Sequence, residues 1–329
     1  MRDPSPNSLR GRVPAGDAAP RPIRVRSFVL LAGTVGPEGL VLRLRRSLLD
    51  LPIDSELRLL DVWLRRIGEF LVNWPGAGDQ DPDVRVLVGE SNPLPAPTTR
   101  RDGPLVRIET DASSYRGTAG VLRDLSDGFS DEEYLLVGNA SQCPDEGQLL
   151  ELVAMADPTD GVTLSTGSDG SPSGLLLVRC GALQQVPSVG YVDLKEQALP
   201  RIARTFGVRV LVNSRGCTRP IRDSSHYLDA VRSWHCFGRL AGVRSESAYE
   251  ERWRPAFSIV EPGADVAKGA ALYDSVVLAG GVVGRGSKLI RSVVGPGGVV
   301  RRDRCVVDQL VAGGGYLREL PAPPREADR

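Results

Sequence analysis

Apolar and polar positions alternate along this chain in rhythms that predict its elements in turn. The segment from Ile23 to Gly33, alternating at first and apolar from Phe28 to Ala32, predicts a buried strand closed by a glycine turn. Leu57, Leu60, Trp63, Leu64, Ile67 and Leu71 then recur at helical spacing, with Ser55 placed as N-cap, and predict a helix over 56–71. Past a loop at 75–83, short β-rich runs predict strands at 84–88 and 105–108. A helix at 118–125, a strand at 134–138 and a helix at 148–156 follow. Two strands, 162–165 and 175–178, are joined by a Gly/Ser/Asp turn. Beyond them the pattern reads as an amphipathic helix at 195–205, a strand at 208–212 and a helix at 224–234. Strands alternating with helices describe an α/β sandwich on a mostly parallel sheet.

The rhythm changes after residue 258. Val260, Val266, Leu272, Leu278 and Ile290 share one six-residue frame, broken at Gly284. Ala264, Ala270, Val276, Val282, Val294, Val300 and Val306 share a second, with Lys288 as the polar intruder. A period of six is neither helical nor simple strand alternation. It fits a left-handed parallel β-helix in which each hexad forms one flat face and three hexads close a coil. The alternative is a Gly/Val-rich strand-and-turn segment with accidental spacing. These rhythms divide the chain into a tail (1–22), an α/β domain (23–235), a polar connector (236–258), a β-helix (259–311) and a second tail (312–329). The first tail, and the Pro- and charge-rich stretch after Leu320, read as disordered.

Composition narrows the function. With 41 basic and 41 acidic side chains the net charge is zero, which offers no general attraction to nucleic acid or to an acidic membrane surface. Lysine is rare (Lys195, Lys268 and Lys288), and arginine supplies the rest, as a GC-rich bacterial genome would. Five scattered cysteines, none in a C-x-x-C pair, argue against a zinc site or a disulfide framework and for a reducing cytoplasm. The opening 22 residues are neither a signal peptide nor an anchor, and no apolar stretch is long enough to span a bilayer.

Four stretches, in order and ahead of a β-helix, carry a resemblance. Tyr115-Arg116-Gly117-Thr118-Ala119-Gly120 resembles a G-T-A-G turn that opens a helix, followed by the strand Tyr134–Asn139 in place of L-V-x-N-G-D. The segment 190–200, with Asp193, Lys195, Glu196 and Pro200, is similar to a D-x-K-E-x-x-x-P stretch. Ile221, Tyr227, Leu228 and Ala230 track D-I-G-T-P-x-x-Y-L-x-A. Together, over about residues 27–311, they resemble the sugar-1-phosphate nucleotidyltransferases, or NDP-sugar pyrophosphorylases, of which mannose-1-phosphate guanylyltransferases are a close example. The resemblance implies a Rossmann-like nucleotidyltransferase sandwich followed by the β-helix. It also implies a nucleotide site at Gly33, Thr34, Gly117, Thr118, Ala119 and Gly120, and a sugar-phosphate site at Asn139, Lys195 and Glu196.

In that family a sugar phosphate attacks the α-phosphorus of a nucleoside triphosphate. The protein positions the phosphates and neutralises charge with a glycine-rich loop, a lysine and two magnesium-holding aspartates. Those groups are largely missing. The loop Leu31–Gly39 lacks the G-T-R run, and Pro37 and Glu38 stand where N–H donors and positive charge belong. Arg46 is either a replacement for the lysine or part of a solvated basic face leading into a strand. Ala140 and Ser141 occupy the place of the first aspartate, and Pro220 that of the second, with Asp223 three residues on as a substitute. The E-K-P run has no counterpart; Lys195 is either a phosphate ligand or a solvated side chain at a helix start.

The expectation is therefore a catalytically impaired homologue, a pseudoenzyme that binds a nucleotide or nucleotide sugar as a regulatory or scaffold protein. The alternative is an active transferase with relocated ligands, Asp111, Asp223 and Asp229 being the carboxylates to inspect, which would use Mg2+. The ends of the β-helix offer surfaces for a homo-oligomer or an active paralogue. A hexapeptide acyltransferase, which needs a histidine at a coil edge, is disfavoured because His226 and His235 both precede the repeat.

Overall fold

The computed structural model describes residues 23–33, 40–74, 82–97, 104–111, 115–145, 147–213, 220–237, 256–313 and 315–317. Thr34, the rest of the loop to Gly39, the first tail, the second tail from residue 318 and most of the 236–258 connector lie outside the described residues, whereas residues 312 and 315–317 of the second tail form strand.

Seven strands, β1 (Arg24–Leu31), β2 (Asp83–Gly89), β3 (Val106–Asp111), β4 (Glu133–Asn139), β5 (Asp160–Gly167), β6 (Pro172–Arg179) and β7 (Gly207–Asn213), form one sheet. Its order is β3-β2-β1-β4-β6-β5-β7. Neighbours pair in parallel except at β6, which runs against both β4 and β5. The expected mostly parallel α/β sheet is thus present.

Among the described residues seven α-helices accompany the sheet: α1 (Leu40–Leu44), α2 (Leu59–Asn73), α3 (Gly117–Leu125), α4 (Gln148–Ala154), α5 (Cys180–Leu183), α6 (Leu199–Ile202) and α7 (Ser224–Phe237). Alternation along each strand divides the core between two faces. Phe28, Leu30, Val86 and Leu136 point to the side of α2, α4 and α7; Val29, Leu31, Leu87 and Val137 point to the side of α3, α5 and α6.

Local chemistry moves some boundaries away from the pattern. The helix expected from Glu56 starts at Leu59, because Asp54 Oδ1 accepts from Glu56 N (2.8 Å) and Leu57 N (2.7 Å) and holds a turn there. Arg58 then caps it, with Asp61 Oδ2 accepting from Arg58 N at 2.9 Å, so Ser55 is not the cap. The helix expected over 195–205 is a π-helical turn (Leu194–Ala198) followed by α6. Pro200 has no N–H to continue the i→i−4 ladder. Arg46 leads into a 3-10 turn at Leu48–Asp50 where a strand was expected.

The C-terminal unit is a three-sided parallel β-helix. One sheet stacks β8 (Ser258–Val260), β11 (Ser275–Val277), β14 (Val293–Val294) and β17 (Leu310–Ala312). A second stacks β9 (Asp265–Val266), β12 (Val282–Val283) and β15 (Val299–Val300). A third stacks β10 (Ala271–Tyr273), β13 (Lys288–Ile290) and β16 (Cys305–Val307). A short antiparallel strand, β18 (Gly315–Leu317), ends the first sheet.

Its period corrects the hexad count. Asp265 pairs with Val282 and Val282 with Val299, so each coil takes seventeen residues where three hexads would take eighteen. The interior row is Val266, Leu272, Val277, Val283, Leu289, Val294, Val300, Val306 and Val311, advancing by six, five and six. The short step falls at one corner, where Asp274, Arg291 and Asp308 take φ of 48°, 44° and 53°. After it the hydroxyls of Ser275 and Ser292 accept from Ser292 N and Gln309 N, each at 3.2 Å, and tie successive coils together. One residue lost per coil moves the interior from the first hexad frame to the second, which is why the first frame fades. The outward residues of the first sheet, Ile259, Val276, Val293 and Leu310, join the α/β core. Among the described residues no helix is long and apolar enough to cross a membrane.

Candidate functional site

Strands β1 to β4 are mutually parallel, so Gly33, Gly89, Asp111 and Asn139 line one rim at or just beyond their C-terminal ends. The strand order reverses between β1 and β4, with α2 packed on one face and α3 on the other. A doubly wound sheet opens its crevice at such a switch point. Here Leu31 pairs with Asn139, and Ala140 N donates to Leu31 O at 3.1 Å.

Gly33 belongs to a close crossing of two strand ends. A Cβ on it would stand 2.5 Å from Gly89 N and 2.7 Å from Asn92 Nδ2. Asn92 was not a sequence candidate; its signal is a Gly-x-x-Asn turn after a strand, too common to single out. Its Oδ1 is buried without a hydrogen-bond partner. On the other side of β1, Asn139 Oδ1 accepts from Ser141 N (3.0 Å) and Ser141 Oγ (2.9 Å). Ala140 is buried and its carbonyl accepts from Trp63 Nε1 at 3.0 Å. The turn after β4 is thus closed on itself and presents amide, not carboxylate, chemistry.

The small residues at the start of α3 serve another close approach. Gly117 has φ of 66°, and a Cβ there would lie 2.5 Å from Val192 O. Val192 N donates to Arg116 O (2.8 Å), and Ala119 N donates back to Val192 O (3.2 Å). Arg116 reaches Gly190 O at 2.9 Å and Asp124 Oδ2 at 2.8 Å; that bond holds the Asp124 carboxyl below its usual range. A Cβ on Gly120 would meet the Arg116 side chain at 3.1 Å. Thr118 is half-buried beside them. Lys195 and Glu196 follow on this segment, exposed, with their backbone N–H groups donating to Asp193 Oδ1 at 2.7 and 2.8 Å.

Asp223 reaches the same rim, since Ile221 N donates to Ser141 O at 3.0 Å. Its Oδ1 caps α7, accepting from His226 N at 2.8 Å, with His226 Nδ1 3.0 Å away. Arg46 is occupied elsewhere. Its Nη1 donates to Glu261 Oε2 (2.6 Å) and its Nη2 to Asp50 O (2.7 Å), joining the α/β domain to the β-helix. Asp50, buried and bonded to Ala96 N and Arg58, has its pKa raised because burial outweighs those partners. Tyr227, which aligned the sequence motif, is fully buried with its hydroxyl donating to Pro52 O at 2.5 Å.

Magnesium needs oxygen ligands that converge. Asp111 stands three strands from Asn139, roughly 14 Å away at ordinary strand spacing. Asp229 is exposed on α7 beyond its first turn. Among the described residues no group of three or more His, Cys, Asp or Glu is placed to hold a metal. The residues at this rim do not fit a magnesium pair.

No protein-family model matches the chain, and no curated protein does. Among solved structures it is similar to Rv0371c from Mycobacterium tuberculosis H37Rv at 14% identity and a TM-score of 0.45, over 64% of this chain and 99% of that one. It is similar to the Rv0371c complex with manganese from the same organism at 12% and 0.37, over 61% and 92%. The Rv0371c homolog from Mycobacterium sp. strain JC1 gives 13% and 0.41, over 63% and 95%. The chain's similarity to solved proteins is thus a distant one of structure.

Proposed function

We propose that this chain is a homologue of the NDP-sugar pyrophosphorylases that binds a nucleotide or nucleotide sugar at the β1–β4 crevice and acts as a regulatory or scaffold protein. The observation that carries this reading is the pair of asparagines flanking Gly33. Asn92 offers a buried, unpartnered carbonyl oxygen, and Asn139 has an amide nitrogen without a partner among the described residues. Neutral amides recognise hydroxyls and base edges by hydrogen bonding. They do not neutralise a triphosphate, and transfer at phosphorus depends on that neutralisation. Lys195 lies within the 190–196 segment that meets the start of α3, where it can supply one cation to a phosphate. Partners through the β-helix, an active paralogue among them, and a cytoplasmic location complete the proposal.

A thermal-shift series with nucleoside triphosphates and nucleotide sugars, with and without magnesium, tests it. Stabilisation by a nucleotide sugar without magnesium, reduced in Asn139→Ala, is expected. Asp223 beside the β4 turn favours the rival reading, an active transferase with relocated ligands. Magnesium-dependent stabilisation by a triphosphate together with pyrophosphate release would establish that rival and overturn this one.

A further inference from the structure

The zero net charge of the chain conceals a concentrated positive ridge. The second and third sheets of the β-helix meet at one corner, and the register stacks Lys268, Arg285 and Arg302 there, one per coil. Lys288, Arg301 and Arg304 stand within a few residues of the column, on its upper coils. All six side chains are exposed. None of the six has an ion-pair partner among the described residues. The other carboxylates of the coil are engaged: Glu261 by Arg46, Asp274 by Arg232 and Asp308 by Arg291. Asp303 and Asp265 are the acids left near the ridge, two against six.

Position adds to charge. The first sheet of the β-helix is turned into the α/β core, so the corner between the other two points away from the rest of the protein. Both flanks carry partly apolar columns in register. Tyr273, Ile290 and Val307 stack on one, with Tyr273 50% and Val307 39% exposed; Asp265, Val282 and Val299 stack on the other, with Val299 51% exposed.

We propose that this ridge is an electrostatic docking surface for an anionic phospholipid bilayer. Cations held on stacked coils stand about 4.8 Å apart and cover about 10 Å over three coils. Lipid head groups diffuse laterally and adopt whatever spacing a rigid cation array sets. A nucleic-acid strand carries phosphates at a spacing its backbone fixes and is gripped by stacking aromatics along its path. Within the strands of the second and third sheets Tyr273 is the one aromatic residue. Projecting cations on a rigid corner match the charged head-group layer of an anionic bilayer. The surface is independent of the crevice at β1–β4.

Co-sedimentation of the full chain with vesicles tests this. Pelleting with phosphatidylcholine–phosphatidylglycerol vesicles, absence of pelleting with phosphatidylcholine alone, and release by salt are expected. The charge reversal Lys268→Glu/Arg285→Glu/Arg302→Glu should cut partitioning roughly a hundredfold or more. Lys268→Gln/Arg285→Gln/Arg302→Gln, which removes charge without reversing it, should retain an intermediate affinity, and Arg201→Glu on α6 should bind as the parent does. Each variant is required to keep the parent melting temperature, and the milder glutamine set carries the test if the reversal set does not fold. Vesicle binding by the neutralising variant as tight as the parent's, no binding by the parent, or tighter binding to single-stranded DNA or polyglutamate at equal salt would each overturn the proposal.

Discussion

Replacing Arg46 by alanine separates its two readings, phosphate ligand and structural clasp. The guanidinium donates to Glu261 Oε2 at 2.6 Å and to Asp50 O at 2.7 Å, with side chains 24% and 12% exposed for the arginine and the glutamate. Fully exposed pairs contribute about 0–1 kcal/mol, whereas removing one partner of a buried pair costs about 3–5 kcal/mol. This pair lies between those limits. Glu261 keeps one partner after the change, since Ala279 N donates to its Oε2 at 2.9 Å. Asp50, buried with a raised pKa, loses one of the two arginines that face it. A loss of about 2–3 kcal/mol follows, which for a domain of this size is a melting shift of roughly 4–10 °C. Urea unfolding followed by tryptophan fluorescence would measure it, and a cycle with Glu261→Gln should give a coupling of about 1–2 kcal/mol. The clasp reading also requires that any ligand-induced thermal shift survive in Arg46→Ala. A variant within about 0.5 kcal/mol of the parent, or one that folds normally but no longer responds to nucleotide, would refute it.

Other changes probe the site and the coil. Gly117→Ala combines a left-handed φ of 66° with a Cβ 2.5 Å from Val192 O and should cost more than about 2 kcal/mol in urea unfolding; Gly170→Ala, at φ 77° with nothing within 4 Å, should cost only about 1 kcal/mol. Ser292→Ala leaves Gln309 N without its acceptor inside the coil and should cost about 1–2 kcal/mol by the same measurement. Burial pushes the Cys180 thiol up to about 12, so iodoacetamide at pH 8 should label exposed Cys305 and spare Cys180 in the folded protein, as read by peptide mass spectrometry. Asp124 and Asp308 have carboxyls lowered by hydrogen bonds from Arg116 and Arg291. Their stabilisation is present above the unfolded pKa near 3.8 and is lost as pH falls through the lower folded values, so Asp308→Asn should flatten that acid limb of the stability curve.

The elements were largely legible because burial follows local periodicity. The run at Ile23–Gly33, the helical stripe from Leu57 to Leu71 and the valine rows after 258 each state their own geometry. Boundaries were lost where a single side chain competes with the backbone. Asp54 and Arg58 delay α2, and Pro200 interrupts the helix after Asp193. The seventeen-residue coil was hidden behind hexads because the missing residue is taken up by left-handed backbone at Asp274, Arg291 and Asp308, and no residue type there announces it. Asn92 escaped notice because a lone asparagine after a strand acquires meaning only when a second strand end meets it.

By itself the sequence determined the succession of strands and helices, the order of α/β unit and β-helix and the residues available for chemistry, since those depend on neighbours within a few positions. Tertiary structure decided what those residues face. Gly117 and Gly33 admit backbone from distant segments, Arg46 is claimed by Glu261, and Lys268, Arg285 and Arg302 become one column only when coils stack. A charge or an amide acts over a few ångströms of space, and the coil closes that space between residues seventeen apart while the sheet closes it between residues more than fifty apart.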